Sequence, residues 1–466
     1  MSPKAVVVGS GIGGSGAGAL LAVRLGLEVE LYEKTHLLGG RYASYERDGF
    51  RLDVGCHAVG SSEKGPIGKI LEEVGERIDW VRTKSPVYFV GDRRYRFPRA
   101  ASEMGVPAQD LEGLMRLFAD VMAMAEADLA ELDRTDLRRF LGRYTRDRRV
   151  EALFAFLAGM YFCVPLEETP AGEWAFCHRE LARNLATGYP VGGTGAIPEA
   201  FCRAIEKAGG AVHRGRAVRK ILVENGRAVG VALDDGTVRR ADFVVSNADV
   251  KATVLDLVGP EHYDGVFVER IRSLRWAHCA FTIRVALDRP ITDDRFVVYL
   301  RDFDILEEER DRIRQGCVPE TVPSLMVPIL SNLDPTAAPK GRQILYAGTG
   351  CWPDLARMRE TRAQWKEACL NGLRRIYPGL DRHILWVEAA GPDYIDGLFG
   401  EGGNVIGVAQ TLDQVGSNRP GIVDPAVRNL YHASADTGVH GIGGELAADA
   451  ALRVYEHLSA LGGRPA

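Results

Sequence analysis

Residues 4–14, KAVVVGSGIGG, decide the fold of this chain. An apolar β run leads into glycines at positions 9, 11 and 14, and an Ala/Leu-rich helix follows to about Leu25. A second strand over residues 28–32 ends at Glu33. A strand, a G-x-G-x-x-G turn, a helix and a strand in this order predict a βαβ unit whose helix N-terminus binds the pyrophosphate of a dinucleotide.

Each glycine of the motif has a distinct physical role in such a unit. Gly9 permits the tight turn, Gly11 lets the backbone approach the pyrophosphate, and Gly14 lets the helix pack closely on the strand. We expect Glu33 to accept hydrogen bonds from the ribose hydroxyls. Its negative charge would repel a 2′-phosphate, so the site disfavours NADP. The alternative is a glycine-rich turn that binds no ligand.

Three further segments favour a bound dinucleotide. Residues 38–41, LGGR, place two glycines and the Arg41 guanidinium near the same pyrophosphate. Residues 49–55, GFRLDVG, predict a strand that ends in a glycine turn. Far along the chain, residues 429–436 (NLYHASAD) and 441–445 (GIGGE) predict a second strand, turn and helix.

Together these segments resemble the FAD domain of the flavin amine oxidase and phytoene desaturase superfamily. Residues 189–200 (YPVGGTGAIPEA) and 241–249 (ADFVVSNAD) are similar to segments typical of that family, and residues 402–444 resemble its C-terminal block. The resemblance covers essentially the whole chain, implies FAD as the cofactor and favours the carotenoid and retinoid branch. The chemistry of the C-terminal strand, turn and helix, rather than the resemblance, places Asp436 on the ribityl chain and the following helix N-terminus on the pyrimidine ring of the flavin, because Asp436 is displaced relative to the acid of amine oxidases.

The expected cofactor-binding residues combine the motif with this resemblance. No metal site is expected beside them. The residues are Gly9, Gly11, Ile12, Gly13, Gly14, Glu33, Lys34, Gly40, Arg41, Asp53, Gly55, Asp436, Gly443 and Gly444.

The expected fold class is α/β, with a Rossmann-like FAD-binding domain interleaved with a substrate domain of mixed sheet and helices. The cofactor domain is expected to use residues 1–75, 189–270 and 425–466, and the substrate domain residues 76–188 and 271–424. A hairpin is predicted at residues 87–97 and another at 220–232. The remaining substrate-domain pattern is helical over 103–185, with strand-like runs at 279–287, 296–300, 343–346 and 384–388.

Composition excludes several classes of protein. The 466 residues hold 58 Lys and Arg against 63 Asp and Glu, so there is no basic excess for binding nucleic acid. The eight cysteines are scattered without a C-x-x-C pair, which favours reduced thiols over disulfides or structural zinc. The N-terminus passes directly into a strand, and no run of 18 apolar residues occurs. We therefore expect a cytoplasmic protein without a signal peptide or a membrane-spanning helix.

Catalytic residues are harder to assign, because the sequence offers no persuasive acid–base dyad. Cys56 and His57 follow Gly55, so they either face the flavin or the substrate tunnel or belong to a packed loop. His440 precedes the C-terminal helix, where it either contacts the pyrimidine ring or the substrate's reacting end, or has no functional role. These three residues are the catalytic candidates.

Three functions remain open. The first is an FAD-dependent desaturase, saturase or isomerase that transfers hydride between flavin N5 and a C–C bond of an apolar, isoprenoid-like or cyclic substrate. The second is an amine or porphyrinogen oxidase that uses O₂. The third is a lipid-binding carrier that resembles GDP-dissociation inhibitors and binds no FAD; Glu33, Arg41 and the motif glycines argue against it.

One segment raises the possibility of peripheral membrane contact at the inner face of the membrane. Residues 137–149 carry six arginines against one acid, and the uncharged stretch 152–164, ALFAFLAGMYFCV, follows. As a helix it spans only ~20 Å, too short for a bilayer core of ~30 Å. It either rests on an anionic membrane surface or is a core helix lining the substrate cavity. In the second case the arginines are solvated or pair with Glu126, Asp128, Glu131, Asp133 and Asp136.

Overall fold

The computed structural model describes residues 2–55, 57–96, 99–185, 187–304, 307–351 and 354–463. Its strands are β1 (Lys4–Val8), β2 (Glu28–Glu33), β3 (Ser44–Arg47), β4 (Phe50–Asp53), β5 (Trp80–Arg82), β6 (Val87–Val90), β7 (Arg93–Arg96), β8 (Gly188–Pro190), β9 (Ala211–Arg214), β10 (Val218–Glu224), β11 (Arg227–Leu233), β12 (Val238–Arg240), β13 (Phe243–Ser246), β14 (Cys279–Leu287), β15 (Phe296–Leu300), β16 (Ser324–Pro328), β17 (Gln343–Cys351), β18 (Ile384–Ala390) and β19 (Leu430–His432). Its α-helices are α1 (Ile12–Leu25), α2 (Pro66–Glu73), α3 (Ala100–Glu103), α4 (Ala108–Ala123), α5 (Glu126–Leu132), α6 (Leu137–Leu141), α7 (Arg148–Tyr161), α8 (Ala171–Asn184), α9 (Ala196–Lys207), α10 (Gly265–Ser273), α11 (Glu307–Arg314), α12 (Leu330–Leu333), α13 (Leu355–Ile376), α14 (Pro392–Phe399) and α15 (Gly444–Ala460).

A five-stranded parallel sheet holds the N-terminal motif. Its strand order is β9-β2-β1-β13-β19, with β1 paired to β2 on one side and to β13 on the other. This is the order of a Rossmann half, in which the crevice outside the carboxyl ends of the strands binds the ligand. The G-x-G-x-x-G turn follows β1 at that crevice.

Helix α1 lies against this sheet and is packed by α9 and α15. Its small residues keep it buried along most of its length, and it ends at Gly26, which adopts a left-handed φ of 65°. On the opposite face, the three-stranded sheet β10-β11-β12 packs against β1 and β13, where Ile221 and Val231 meet Val6 and Val244. The cofactor domain is therefore a three-layer stack of helices, parallel sheet and antiparallel sheet.

The second sheet has seven strands in the order β18-β14-β17-β16-β15-β6-β7. Its pairings are antiparallel except that of β15 with β6, which joins two distant parts of the chain. Helix α13 covers one face, where Trp365 stacks on Phe281. The fold is thus α/β with a parallel cofactor sheet and a mixed substrate sheet, as the sequence predicts.

The strands of each sheet come from the segments that the sequence assigns to that domain. The parallel sheet draws on residues 1–75, 189–270 and 425–466, and the mixed sheet on 76–188 and 271–424. Hairpins occur at both expected places, β6–β7 and β10–β11, although Phe97 lies outside the described residues. The domain boundaries themselves remain a prediction.

The basic stretch before residue 152 lies in a bundle formed by α3–α8. Phe154 and Ala158 of α7 are buried in that bundle, so the helix is part of a core. Its arginines differ from the expected pairing: Arg138 pairs with Glu151 and Glu167, Arg148 with Asp304, and Arg149 with Asp147. The acids named from sequence have other partners, for example Glu126 with Arg179. Within the described ranges, no helix is long and apolar enough to cross a bilayer.

Candidate cofactor and substrate site

A cavity of about 970 Å³ opens outside the carboxyl ends of β1 and β13. We call its wall at the parallel sheet the cofactor half. The substrate half is the wall contributed by the mixed sheet and by α7 and α8. The cofactor half includes Gly9, Ser10, Gly11, Ile12, Glu33, Lys34, Gly40, Arg41, Gly55, Asn247, Asp436, Gly443 and Gly444. The substrate half includes Tyr88, Leu157, Met160, Tyr161, Leu181, Phe296, Val298 and Met326.

Close backbone packing shapes the turn between β1 and α1. Gly9 has a φ of 92°, and its N–H donates to the Tyr32 carbonyl at 2.8 Å. A Cβ on Gly13 would lie 1.8 Å from the Ala433 carbonyl oxygen, and one on Gly14 would lie 2.2 Å from the Gly9 carbonyl oxygen. No side chain caps the first turn of α1, so its backbone N–H groups are available to an anion.

Asn247 holds this turn, and the predicted set did not include it. Its amide nitrogen donates to the Ala433 carbonyl at 2.7 Å, and its side chain lies against Gly9 and Gly14. It also lies close to Gly11, where a Cβ would come within 2.4 Å of the Asn247 side-chain oxygen. The sequence carried a signal for it, because Asn247 directly follows β13, whose carboxyl end borders the crevice.

Glu33 is only 5% exposed and already accepts four hydrogen bonds. One carboxylate oxygen accepts from the Ser10 amide at 3.0 Å and hydroxyl at 2.7 Å; the other accepts from the amide and hydroxyl of Thr35 at 2.9 Å each. A carboxylate offers about four acceptor sites. A ribose hydroxyl that binds Glu33 must therefore displace the Ser10 and Thr35 hydroxyls or share the carboxylate with them. The contact of Glu33 with a ribose remains a prediction.

Gly40 and Arg41 face the motif turn across the cavity. The nearest atom to a Cβ on Gly40 is the Gly11 Cα at 3.9 Å, so a side chain there would enter the gap between the two glycine turns. Arg41 Nε donates to the Asn404 carbonyl at 3.2 Å, and its Nη2 donates to the Asn404 side-chain oxygen at 3.3 Å. The guanidinium is thereby held on the cavity wall. Its contact with a pyrophosphate remains a prediction.

The C-terminal segment closes the cofactor half. The Asp436 carboxylate accepts from the amides of Val250 and Val408, at 2.9 and 2.8 Å, and so joins two loops of the cavity wall. Gly443 has a φ of 52°, and a Cβ on it would meet no atom within 4 Å. A Cβ on Gly444, at the start of α15, would instead collide with the Tyr42 hydroxyl at 2.1 Å.

Among the described residues, Asp53, Gly13 and Gly14 are the predicted cofactor residues that do not line the cavity. Asp53 is fully buried, and its carboxylate accepts from the Ser44 hydroxyl, the Tyr189 hydroxyl and the Thr194 amide, at 2.7 to 3.0 Å. These donors come from two segments of the chain, one at Ser44 and one at residues 189–194. Asp53 therefore acts as a buried tie beneath the cavity wall, because its carboxylate joins these two segments.

The catalytic candidates have different surroundings. His57 is 3% exposed and lines the cavity, with its ring centroid 3.4 Å from that of Tyr346. His440 is not among the described lining residues; its Nδ1 lies 2.6 Å from a Glu173 oxygen. Burial lowers the pKa of His440, but the hydrogen bond and charge of Glu173 outweigh it, so the pKa is raised. His440 thus forms an ion pair with α8, and its contact with the ring or substrate remains a prediction. Cys56 lies outside the described residues.

A further cavity residue, Glu445, was not among the expected ones. It lies in the first turn of α15 and accepts from the Ser61 amide at 2.8 Å. Burial raises the pKa of this carboxyl group, against the hydrogen bond from Ser61. Its position in the segment GIGGE was visible in the sequence, but its burial depends on the loop 60–65 folding over it.

A known protein family matches most of the chain. The family model described as flavin containing amine oxidoreductase matches residues 17–397. The chain belongs to that family. It is therefore an FAD-dependent oxidoreductase, and the carrier without FAD is set aside.

Similar proteins agree with this assignment. The chain is 28% identical to a "zeta-carotene-forming phytoene desaturase" of Myxococcus xanthus, over 93% of this chain and 90% of that protein. It is 25% identical to a "Prolycopene isomerase, chloroplastic" of Daucus carota, over 83% of this chain and 69% of that protein. The solved structure of an oxidoreductase from Methanosarcina mazei has the same fold, with a TM-score of 0.77, 22% identity and coverage of 97% and 100%.

The cofactor half of this flavoenzyme fits FAD. Gly40 and Gly443 leave open space where side chains would obstruct a ligand, and the uncapped start of α1 offers N–H groups to a pyrophosphate. At the far end, Tyr32, Val218 and Leu257 line a partly apolar recess beyond Glu33. The residues that would hold FAD are therefore the motif turn, Glu33, the 39–41 turn and the start of α15.

Proposed function

We propose that this flavoenzyme acts on a carbon–carbon bond of an apolar, isoprenoid-like substrate. The observation that carries the proposal is the composition of the substrate half. Leu157, Met160 and Leu181 enter it from α7 and α8, and Phe296 and Val298 enter it from β15. Such a wall binds an apolar molecule by removing its surface from water, at about 25 cal/mol per Å² of apolar area.

FAD supplies hydride acceptance or donation when bound, so the protein needs to supply binding, orientation and a dry site. The side chains of the substrate half exclude water from one end of the cavity. The ties at Asp436 and Asn247 fix the loops of the cofactor half. This division suits a substrate without a charged group, because orientation then comes from shape.

The two curated relatives support the same substrate class. One bears the name of a phytoene desaturase and the other that of a prolycopene isomerase, so both names refer to isoprenoid chemistry. A desaturase and an isomerase need the same apolar cavity beside the flavin. We therefore propose the substrate class. The experiment below distinguishes among desaturation, saturation and isomerisation as the net reaction.

The experiment begins with the colour of the full-length protein. We expect it to purify yellow, with the visible absorbance of oxidised flavin. Mixed anaerobically with phytoene in detergent, a desaturase bleaches the flavin band, whereas an isomerase converts a cis-polyene without a net change in the flavin, because isomerisation is redox-neutral. Putrescine and other amines serve as the comparison: bleaching and peroxide formation with amines alone would contradict the proposal and favour an amine oxidase.

A matched pair of variants tests whether the substrate half is responsible. Leu157→Lys places a charge in the cavity wall, whereas Met115→Lys places the same charge on α4, where the native side chain is 65% exposed. We expect Leu157→Lys to retain flavin and lose at least about tenfold of the turnover of the apolar substrate, and Met115→Lys to match the wild type. Equal turnover of all three proteins would refute the assignment of this wall.

A further inference from the structure

His57 is a buried polar side chain on the cavity wall. Neither ring nitrogen has a hydrogen-bond partner among the described residues. The nearest acid is Asp53, whose Oδ2 lies 3.9 Å from His57 Nδ1, too far for a hydrogen bond. A buried polar group without a hydrogen bond destabilises the fold, so a partner is expected.

Most polar atoms behind His57 are engaged, and those with spare capacity, Arg284 Nε and Asp53 Oδ2, form no hydrogen bond with its ring nitrogens. Asp53 accepts from Ser44, Tyr189 and Thr194. The buried Arg284 donates through Nη2 to the carbonyls of Asp53 and Val54, at 2.9 and 2.7 Å, and through Nη1 to the Thr282 hydroxyl. The face of the ring is covered by Tyr346. A partner for the His57 nitrogens therefore comes from the cavity.

The chemistry of the ring limits what this partner is. Burial lowers the pKa of His57, with the Arg284 charge acting in the same direction and the Asp53 charge against it, so the imidazole is neutral. A neutral imidazole has one N–H donor and one acceptor nitrogen. A hydroxyl group can accept from the N–H or donate to the acceptor nitrogen, and a carbonyl group can accept from the N–H. A plain hydrocarbon can do neither.

We propose that the substrate is an apolar molecule with one oxygen function, a hydroxyl or carbonyl group, which binds His57 inside the cavity. The proposal rests on the proposed function, because it names the chemistry of the substrate for the same cavity. His57 then selects oxygenated isoprenoids over hydrocarbons of equal length and fixes which end of the molecule lies deepest. Its position against Tyr346 of β17 places it on the side of the cavity formed by the mixed sheet.

The test compares two ligands that differ by one oxygen atom. The C20 alcohol geranylgeraniol and the hydrocarbon that lacks its hydroxyl are titrated into the flavin-loaded, full-length protein. Dissociation constants come from the ligand-dependent rise in unfolding temperature. We expect the wild type to bind the alcohol about tenfold more tightly, which corresponds to ~1.4 kcal/mol.

Two variants assign that preference to His57. His57→Phe keeps a ring and removes both nitrogens. We expect this variant to bind the alcohol and the hydrocarbon about equally, with the dissociation constant of the hydrocarbon unchanged from the wild type. His57→Asn keeps a donor and an acceptor and is expected to keep part of the preference. A wild type that binds both ligands equally, or a preference that survives His57→Phe, overturns the proposal.

A contact of His57 with the flavin itself is a separate outcome. In that case His57→Phe shifts the visible flavin spectrum and the FAD dissociation constant while the alcohol preference stays unchanged, which also overturns the proposal. Failure of the proposed function is distinguishable from these results. It shows as wild-type protein without flavin or without turnover of any apolar substrate, whereas the ratio of the two dissociation constants is measured without turnover.

Discussion

The cofactor half and the substrate half of the cavity differ in what forms their walls. The cofactor half consists largely of backbone, brought close by Gly9, Gly13, Gly14 and Gly40 and tied by Asn247. The substrate half consists of side chains from α7, α8 and the mixed sheet. A ligand bound by backbone atoms demands particular glycines, whereas a ligand bound by apolar side chains accepts many residue combinations of similar volume.

This difference explains why the sequence indicates the residues of the cofactor half but not those of the substrate half. The glycines of the first half are favoured by close backbone contacts, as at Gly13 and Gly14, or by a positive φ, as at Gly9. The second half offers no such position among its lining residues. Three substitutions test how far this contrast holds, beginning with the largest expected effect.

Gly13→Ala is expected to have the largest effect. The new Cβ would lie 1.8 Å from the Ala433 carbonyl oxygen, which is backbone that already accepts from Asn247. We expect a loss of about 3 kcal/mol in the free energy of unfolding, because neither α1 nor β19 can move apart cheaply. Urea unfolding of the flavin-free protein measures it.

The control for Gly13→Ala is the same substitution in a helix of the other half. Gly159 also lies inside a helix, α7, but a Cβ on it would meet no atom within 4 Å. Gly159→Ala is expected to be neutral or to stabilise by up to about 1 kcal/mol. Equal stability of the two variants would remove the contrast between the halves.

Glu33→Ala is expected to have an intermediate effect. It leaves the amides of Ser10 and Thr35 without their acceptor, which costs about 2 kcal/mol in the flavin-free protein. FAD retention after dialysis should fall as well, since the turn that binds the pyrophosphate loses its support. Glu28→Ala, at an exposed ion pair on the same strand, serves as the control and should change stability by less than about 0.5 kcal/mol. Unchanged flavin content and stability in Glu33→Ala would show that the acid is dispensable.

His440→Gln is expected to have the smallest effect and to depend on pH. Because Glu173 and Asp133 raise the folded-state pKa of His440, its contribution is complete below the unfolded value of 6.5. It is lost as the pH rises through the raised pKa. We expect the wild type to exceed the variant by about 1 kcal/mol below pH 6.5 and by nothing well above the raised pKa. His262→Gln, at an exposed position, should show no such dependence; a pH-independent gap for His440→Gln would exclude the ion pair as its cause.

The local elements were within reach of sequence reasoning. The turn after β1, the extent of α1 and the hairpins at Gly91 and Asn225 follow from glycine chemistry and apolar periodicity. The sequence also indicated the interleaving of two domains, because segments similar to one family lie far apart in the chain. In each case the deciding contacts lie within one segment or within a motif that keeps its residues.

The long-range pairings were not within reach. The parallel pairing of β6 with β15 joins residues about 200 positions apart, and nothing in either strand specifies the other. The pair of His440 with Glu173 spans 267 positions, so the sequence could not indicate that its partner lies in α8. The donors of Asp53 were missed for the same reason, because Tyr189 and Thr194 come from another segment.

The position of β19 and α15 has a consequence for synthesis. The edge strand of the parallel sheet and the helix that covers α1 come late in the chain, so they are synthesised long after β1 and α1. Until then Gly13 has no Ala433 carbonyl to meet, and the apolar side of α1 is uncovered. Until β19 and α15 are made, the nascent chain carries its dinucleotide turn without the part of the cavity wall that Gly443 and Gly444 supply, and it exposes apolar surface that is prone to aggregation. We therefore expect capture of the flavin to follow the synthesis of β19 and α15.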